Sequence, residues 1–196
     1  PPLAEGTPTW RYLTEERCLP PRILALAAWH GLIREGPDGS AWFAHQDQTG
    51  KLTGIEMRGP RGRGFSTDSD KSLFQLPGGD GAMPRLVVVE ATIDALSLAS
   101  LEGPRGDTLY LATGGGMEPA TVATLRAVLV LRAGLATAQL VAASNADDAG
   151  ERYAIWLAEL AQEAGVTCER LRPPRALVDW NAILVRAAGR DHRHAA

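Results

Sequence analysis

Cysteine is almost missing: Cys18 and Cys168 are the only two in 196 residues, and they stand far apart. Isolated thiols exclude a disulfide framework and a cysteine-based zinc site, and they point to a reducing, cytoplasmic setting. No apolar stretch approaches the roughly 18 residues of a membrane span, and no charged-then-apolar leader opens the sequence, so no membrane partner is expected. A surplus of positive charge is lacking too. The formal net charge is −3, so no global basic field attracts nucleic acid, and any basic surface has to be local. What is present is an ordinary globular composition, 45% hydrophobic and 22% charged, in a chain long enough for one large domain or two small ones. The first residue is Pro1, not Met, and a piece of a longer polypeptide is the expectation.

The pattern changes near residue 80. The stretch Leu76-Pro77-Gly78-Gly79-Asp80-Gly81-Ala82-Met83-Pro84 reads as a linker or exposed connection. Before it, short helices are predicted over residues 9–17, started by Thr7-Pro8, and over 21–29. A hairpin follows, with strands at 41–44 and 52–57 joined by a turn at 47–50. Residues 1–80 are expected to form a small α+β subdomain. After the linker, strands near 86–90, 109–113, 140–144 and 166–171 alternate with helices near 92–102, 121–131, 149–164 and 179–187. That alternation predicts right-handed βαβ units and a parallel sheet over residues 85–196.

Two strand ends carry the chemistry. Leu86-Val87-Val88-Val89 stops at Glu90, and Leu140-Val141-Ala142-Ala143-Ser144 stops at Asn145-Ala146-Asp147-Asp148-Ala149-Gly150. An apolar run that breaks on oxygen-bearing side chains is a strand buried on both faces, and ligands collect beyond the carboxyl ends of such strands. If the two strands are neighbours, Glu90 and Asp147 converge on one hard cation held between protein and phosphate, Mg²⁺ or Mn²⁺. Alternation along extended backbone would let Asn145 and Asp147 share it while Asp148 points elsewhere. The plain alternative makes Asp147 and Asp148 caps of the next helix. Asp94 follows Glu90 by one helical turn, and Asp179 precedes the last helix; both are supporting acids. Arg58, Arg61 and Arg63, in Arg58-Gly59-Pro60-Arg61-Gly62-Arg63-Gly64, with Lys71 soon after, suit contact with a phosphate backbone, the alternative being a solvated hairpin loop. Trp42, Phe43 and Phe65 offer stacking surfaces, with core packing the commoner fate; Trp10, Trp29 and Trp156 are assigned to the core. His192 and His194 form a His-x-His without nearby partner ligands.

Together these segments resemble the Toprim domain of bacterial primases, topoisomerases and some nucleases. The match is Val89-Glu90-Ala91-Thr92-Ile93-Asp94 for the strand that ends in Glu, and Asn145-Ala146-Asp147-Asp148-Ala149-Gly150 for the Asp-x-Asp strand end. Thr113-Gly114-Gly115 falls at the intervening glycine turn. Arg11 to Leu19 is similar to the "Tyr-Leu-x-x-Arg-Gly" helix of the subdomain before Toprim in replicative primases. Lys71-Ser72-Leu73-Phe74 and Val178-Asp179-Trp180-Asn181 are similar to further segments of such proteins. The resemblance spans about residues 9–186 and is nearest to primase-like proteins of plasmids and mobile elements. It implies a Toprim-type parallel sheet flanked by helices, preceded by the small α+β subdomain. It also implies a Mg²⁺- or Mn²⁺-dependent nucleotidyl transfer on single-stranded DNA, with nucleotides as substrates and Glu90 and Asp147 as catalytic, metal-holding carboxylates.

Two departures matter. Asn145 stands where the family has the first Asp, and Ala91 where it has Gly. An amide oxygen can ligate but brings no charge. This leaves open a noncatalytic nucleic-acid-binding module that recruits a relaxase or helicase, and a Toprim nuclease.

Overall fold

The computed structural model describes residues 1–103, 105–174 and 177–194, with the side chains of 190–194 excepted. His192 and His194 therefore lie outside the described side chains.

Thr7 caps the first helix, α1 (Pro8–Arg11), by accepting the Trp10 N–H at 3.2 Å. The helix continues as a π turn over Tyr12–Glu16, where the Arg17 N–H reaches back five residues to the Tyr12 carbonyl. The second helix, α2 (Pro21–Trp29), buries Ile23, Leu24 and Ala27. Trp29 does not join the core as expected: it is 86% exposed. At 100° per residue its position is turned well away from the buried stripe.

An antiparallel sheet follows in the order β1 (Ile33–Glu35), β2 (Ala41–Gln46), β3 (Leu52–Gly59), β4 (Gly62–Phe65). The Gly-rich arginine segment belongs to the β3–β4 hairpin, with Arg58 opposite Arg63. A fifth strand, β5 (Phe74–Pro77), begins before the predicted linker and is the antiparallel edge of the second sheet. That sheet runs β5, β7 (Thr108–Ala112), β6 (Arg85–Val89), β8 (Gln139–Ala142), β9 (Thr167–Arg170), with β7, β6, β8 and β9 parallel. The helices α3 (Thr92–Glu102), α4 (Pro119–Ala133) and α5 (Asp148–Glu163) link the parallel strands in turn, and α6 (Trp180–His194) follows β9. This is a mixed α/β fold with a parallel sheet between helices.

The apolar runs now have their reason. Val87 and Val89 of β6 face one core with Tyr12, Leu24, Ile93, Leu96 and Trp180. Leu86 and Val88 face the other with Leu125, Leu129, Leu157 and Leu160. Each buried aliphatic side chain contributes about 1.5–3 kcal/mol over exposure, so both faces of β6 are tightly specified. The sheets are joined where the Gln46 N–H donates to the Leu73 carbonyl at 2.8 Å and the Gln75 amide donates to the Gln46 and Asp47 carbonyls.

Candidate functional site

Strand order decides the geometry. β6 and β8 are parallel neighbours, Val88 opposite Ala142, so their carboxyl ends open side by side. Glu90, half-buried just past β6, accepts the Asn145 N–H at 3.1 Å through Oε1. Its Oε2 has no hydrogen bond to a described residue. Burial pushes the Glu90 carboxyl above the usual range; the Asn145 N–H opposes this, and the charge of Asp147 adds to the rise.

Asn145 sits in a tightly held turn. The Arg170 guanidinium donates to the carbonyls of Ala142, Ser144, Leu171 and Asn145, and to Glu151. A Cβ on Gly150 would come within 2.1 Å of the Asn145 carbonyl oxygen; only glycine permits that approach. The strand ends at Ala142, earlier than the sequence predicts, so strand alternation does not govern residues 145–148. Asp147 is instead the N-cap of α5, its Oδ1 accepting the Gly150 N–H at 2.7 Å. Asp148 opens α5, exposed.

Asp94 is 6% exposed, and its Oδ1 accepts the Asn181 N–H at 3.0 Å. Burial first, and then the charge of Asp179, lift its carboxyl to about 7. Asp179 accepts the Ala182 N–H at 2.7 Å. The Asn181 side-chain amide donates to the Arg17 carbonyl and to Ser97 Oγ.

These groups surround a cleft of about 520 Å³. The N-terminal part of the chain contributes Arg17, Arg58 and Arg63, and the larger sheet with its helices contributes Glu90, Asp94, Asn145 and Asp179. Asp147 lies near enough for Glu90 to feel its charge but does not line the cleft. Arg61 points away and pairs with Asp38 at 3.0 Å, and Lys71 stands over the Phe65 ring. Phe43 is buried in the core, Phe65 packs edge-on against His45, and Trp42 is half-buried beside the hairpin.

Sequence reasoning did not single out Arg17, Asn181, Arg170 or Tyr153. Arg17 was visible in the Tyr-Leu motif and Asn181 in the Val178-Asp179-Trp180-Asn181 segment; Arg170 and Tyr153 depend on long-range packing that no local pattern reveals. The Tyr153 hydroxyl is buried, and the Thr113 side chain and the charge of Glu90 are both felt at it.

Among the described residues no group of three or more His, Cys, Asp or Glu is arranged to hold a metal ion, so there is no closed protein cage. Mg²⁺, however, is ordinarily held by one or two carboxylates with phosphate and water completing the shell. Two mutually repelling carboxylates and an Asn145 side-chain amide with no partner among the described residues fit that open kind of site.

Comparisons with known proteins agree with this architecture. A family model described as a protein of unknown function, DUF3991, matches residues 11–81, and one described as Toprim-like matches residues 87–184. A search of curated proteins finds no match. Among solved structures, the Aquifex aeolicus primase (zinc-binding and RNA polymerase domains) superposes with a TM-score of 0.60 at 16% identity over 96% of this chain. This chain spans only 55% of that one. The RNA polymerase domain of Mycobacterium tuberculosis primase DnaG gives 0.58 at 19% identity, covering 94% of this chain and 74% of its own. The same domain in complex with double-stranded DNA gives 0.55 at 18%, covering 96% and 74%. With half of its 196 residues matched by that model, the chain belongs to the Toprim-like family and carries the fold of the DnaG-type primases.

Proposed function

We propose that the cleft binds single-stranded DNA and a nucleotide, and that the protein performs primase-type nucleotidyl transfer in plasmid or mobile-element replication or transfer, in the cytoplasm. The observation that carries this reading is the meeting of Arg17, Arg58 and Arg63 with Glu90 and Asn145 in one cleft. Arginines bind phosphate oxygens as planar donors, and the strand tips supply oxygen ligands. Glu90 and Asp147 would hold Mg²⁺ or Mn²⁺, with Asn145 as a neutral third ligand and Asp94, Asp148 and Asp179 as supporting acids. A bound divalent cation supplies charge neutralisation at the reacting phosphates. Arg58 and Arg63 would hold the strand and the nucleotide phosphates, Arg61 and Lys71 would extend contact along the hairpin side, and the alternative role for Glu90, in place of holding the ion, is general base through Oε2.

Asn145 favours a second reading, a noncatalytic module that binds nucleic acid and recruits a relaxase or helicase, because loss of one anionic ligand weakens a divalent site. Titration with Mg²⁺ and Mn²⁺, followed by primer synthesis on a single-stranded template, separates the two. For the enzyme, Asn145→Asp is expected to raise cation affinity and primer yield, and Glu90→Gln to abolish synthesis. Salt-dependent DNA affinity with no cation binding and no synthesis in either form supports the module. Absence of DNA affinity at low salt overturns both.

A further inference from the structure

Glu56 lies on β3, 2% exposed, and its two oxygens gather three donors from three parts of the chain. Oε1 accepts Arg58 Nε–H at 2.5 Å. Oε2 accepts from the Thr92 hydroxyl at 2.5 Å and from His45 Nε2 at 3.1 Å. The other ring nitrogen of His45 faces the Ser72 carbonyl at 3.3 Å. Both nitrogens of a fully buried ring thus face oxygens. Glu56 and Arg58 form an ion pair with His45 beside it, an array buried at its centre.

Such an array is weak evidence for stability, because well-packed apolar residues in the place of buried charges often serve the fold as well or better. Its placement suggests another role. Thr92 is the first residue of α3, two positions beyond Glu90, and a Cβ on Gly114 would lie 3.0 Å from the His45 ring, so the glycine turn after β7 rests on the array too. The Arg58 side chain has no other hydrogen bond among the described residues. Its terminal nitrogens are left for a ligand, and the side chain lines the cleft.

We propose that Glu56 is a positioning residue: through Oε1 it aims Arg58 into the cleft, and through Oε2 it ties β3 to the start of α3, so that one buried carboxylate sets the arginine against the acidic strand tips. The inference rests on the reading of the cleft as a nucleic-acid site and adds the part that orients it.

The test uses the full chain and fluorescein-labelled oligo(dT), with affinity measured by anisotropy over a range of salt. Arg58→Gln is expected to weaken binding about tenfold and to lower the salt slope by about one phosphate contact. Glu56→Gln makes the protein more positive, so long-range electrostatics alone would tighten binding. The proposal expects the opposite, a loss similar to that of Arg58→Gln. The double variant is expected to be no weaker than Arg58→Gln alone, since residues that act through one another do not add. Thr92→Val, which removes only the hydroxyl on Oε2, is expected to lose about threefold on the Arg58 background and nothing beside Arg58→Gln; it decides the matter if Glu56→Gln fails to fold. Unchanged or tighter binding by Glu56→Gln, or losses that multiply in the double variants, overturns the positioning role alone. Unchanged binding by Arg58→Gln overturns the reading of the cleft, and the positioning role with it.

Discussion

At Asp94 burial and ionisation pull in opposite directions. Its carboxyl is lifted from 3.8 to about 7 by burial and by Asp179, so the folded chain keeps a proton that the unfolded chain releases across that range. The stabilisation from this group is complete below about pH 4 and is lost as pH rises through about 7, with each unit of separation worth about 1.4 kcal/mol. Asp94→Asn retains an oxygen for the Asn181 N–H and cannot ionise. It is expected to melt higher than the parent at pH 8 and to show a flatter melting-temperature profile from pH 5 to 8; equal melting temperatures at pH 8 would refute this. Glu90 was legible because an apolar run breaks abruptly on it, and Asp94 because it follows one helical turn later. Glu56 was not, because one acid in a half-polar strand resembles any exposed one, and its partner Thr92 lies 36 residues away.

The π turn shows the same contrast at the scale of an element. The related pattern has two residues between Tyr-Leu and Arg, whereas Thr14, Glu15 and Glu16 stand here. The wider turn absorbs the extra residue. It leaves Arg17 at the cleft and Cys18 at φ +53°, where the pattern has glycine. Deleting Glu15, which is exposed, is expected to close the turn to an ordinary α-helix and to change the thermal midpoint by only a few degrees. Deleting Ala99 from α3 rotates a nearly all-buried helix by 100° and is expected to abolish folding. Circular dichroism on heating compares the two, and loss of structure on removing Glu15 would refute the first expectation. Strands β6 and β7 were readable because both faces are buried. β4 was missed because Gly62, Arg63 and Gly64 show no alternation, and β5 because an edge strand of four residues ending in Pro77 resembles a loop.

Over the whole molecule, one apolar cluster runs from Tyr12 and Leu24 through Val87 and Leu96 to Trp180 and Leu184. Stability so shared gives cooperative unfolding. Tryptophan fluorescence and far-ultraviolet circular dichroism are expected to report a single coincident transition in urea. Two separated transitions would show that the N-terminal part and the larger sheet unfold independently. The backbone stitch from Gln46 to Leu73 bears on how the cleft receives anything. With the two sheets sewn together at that seam and clasped again at Thr92, the molecule is built less like a pair of jaws than like a notch of set width. On the proposed reading a polynucleotide would have to bend to the protein, and discrimination would fall on whichever strands are supple enough to enter.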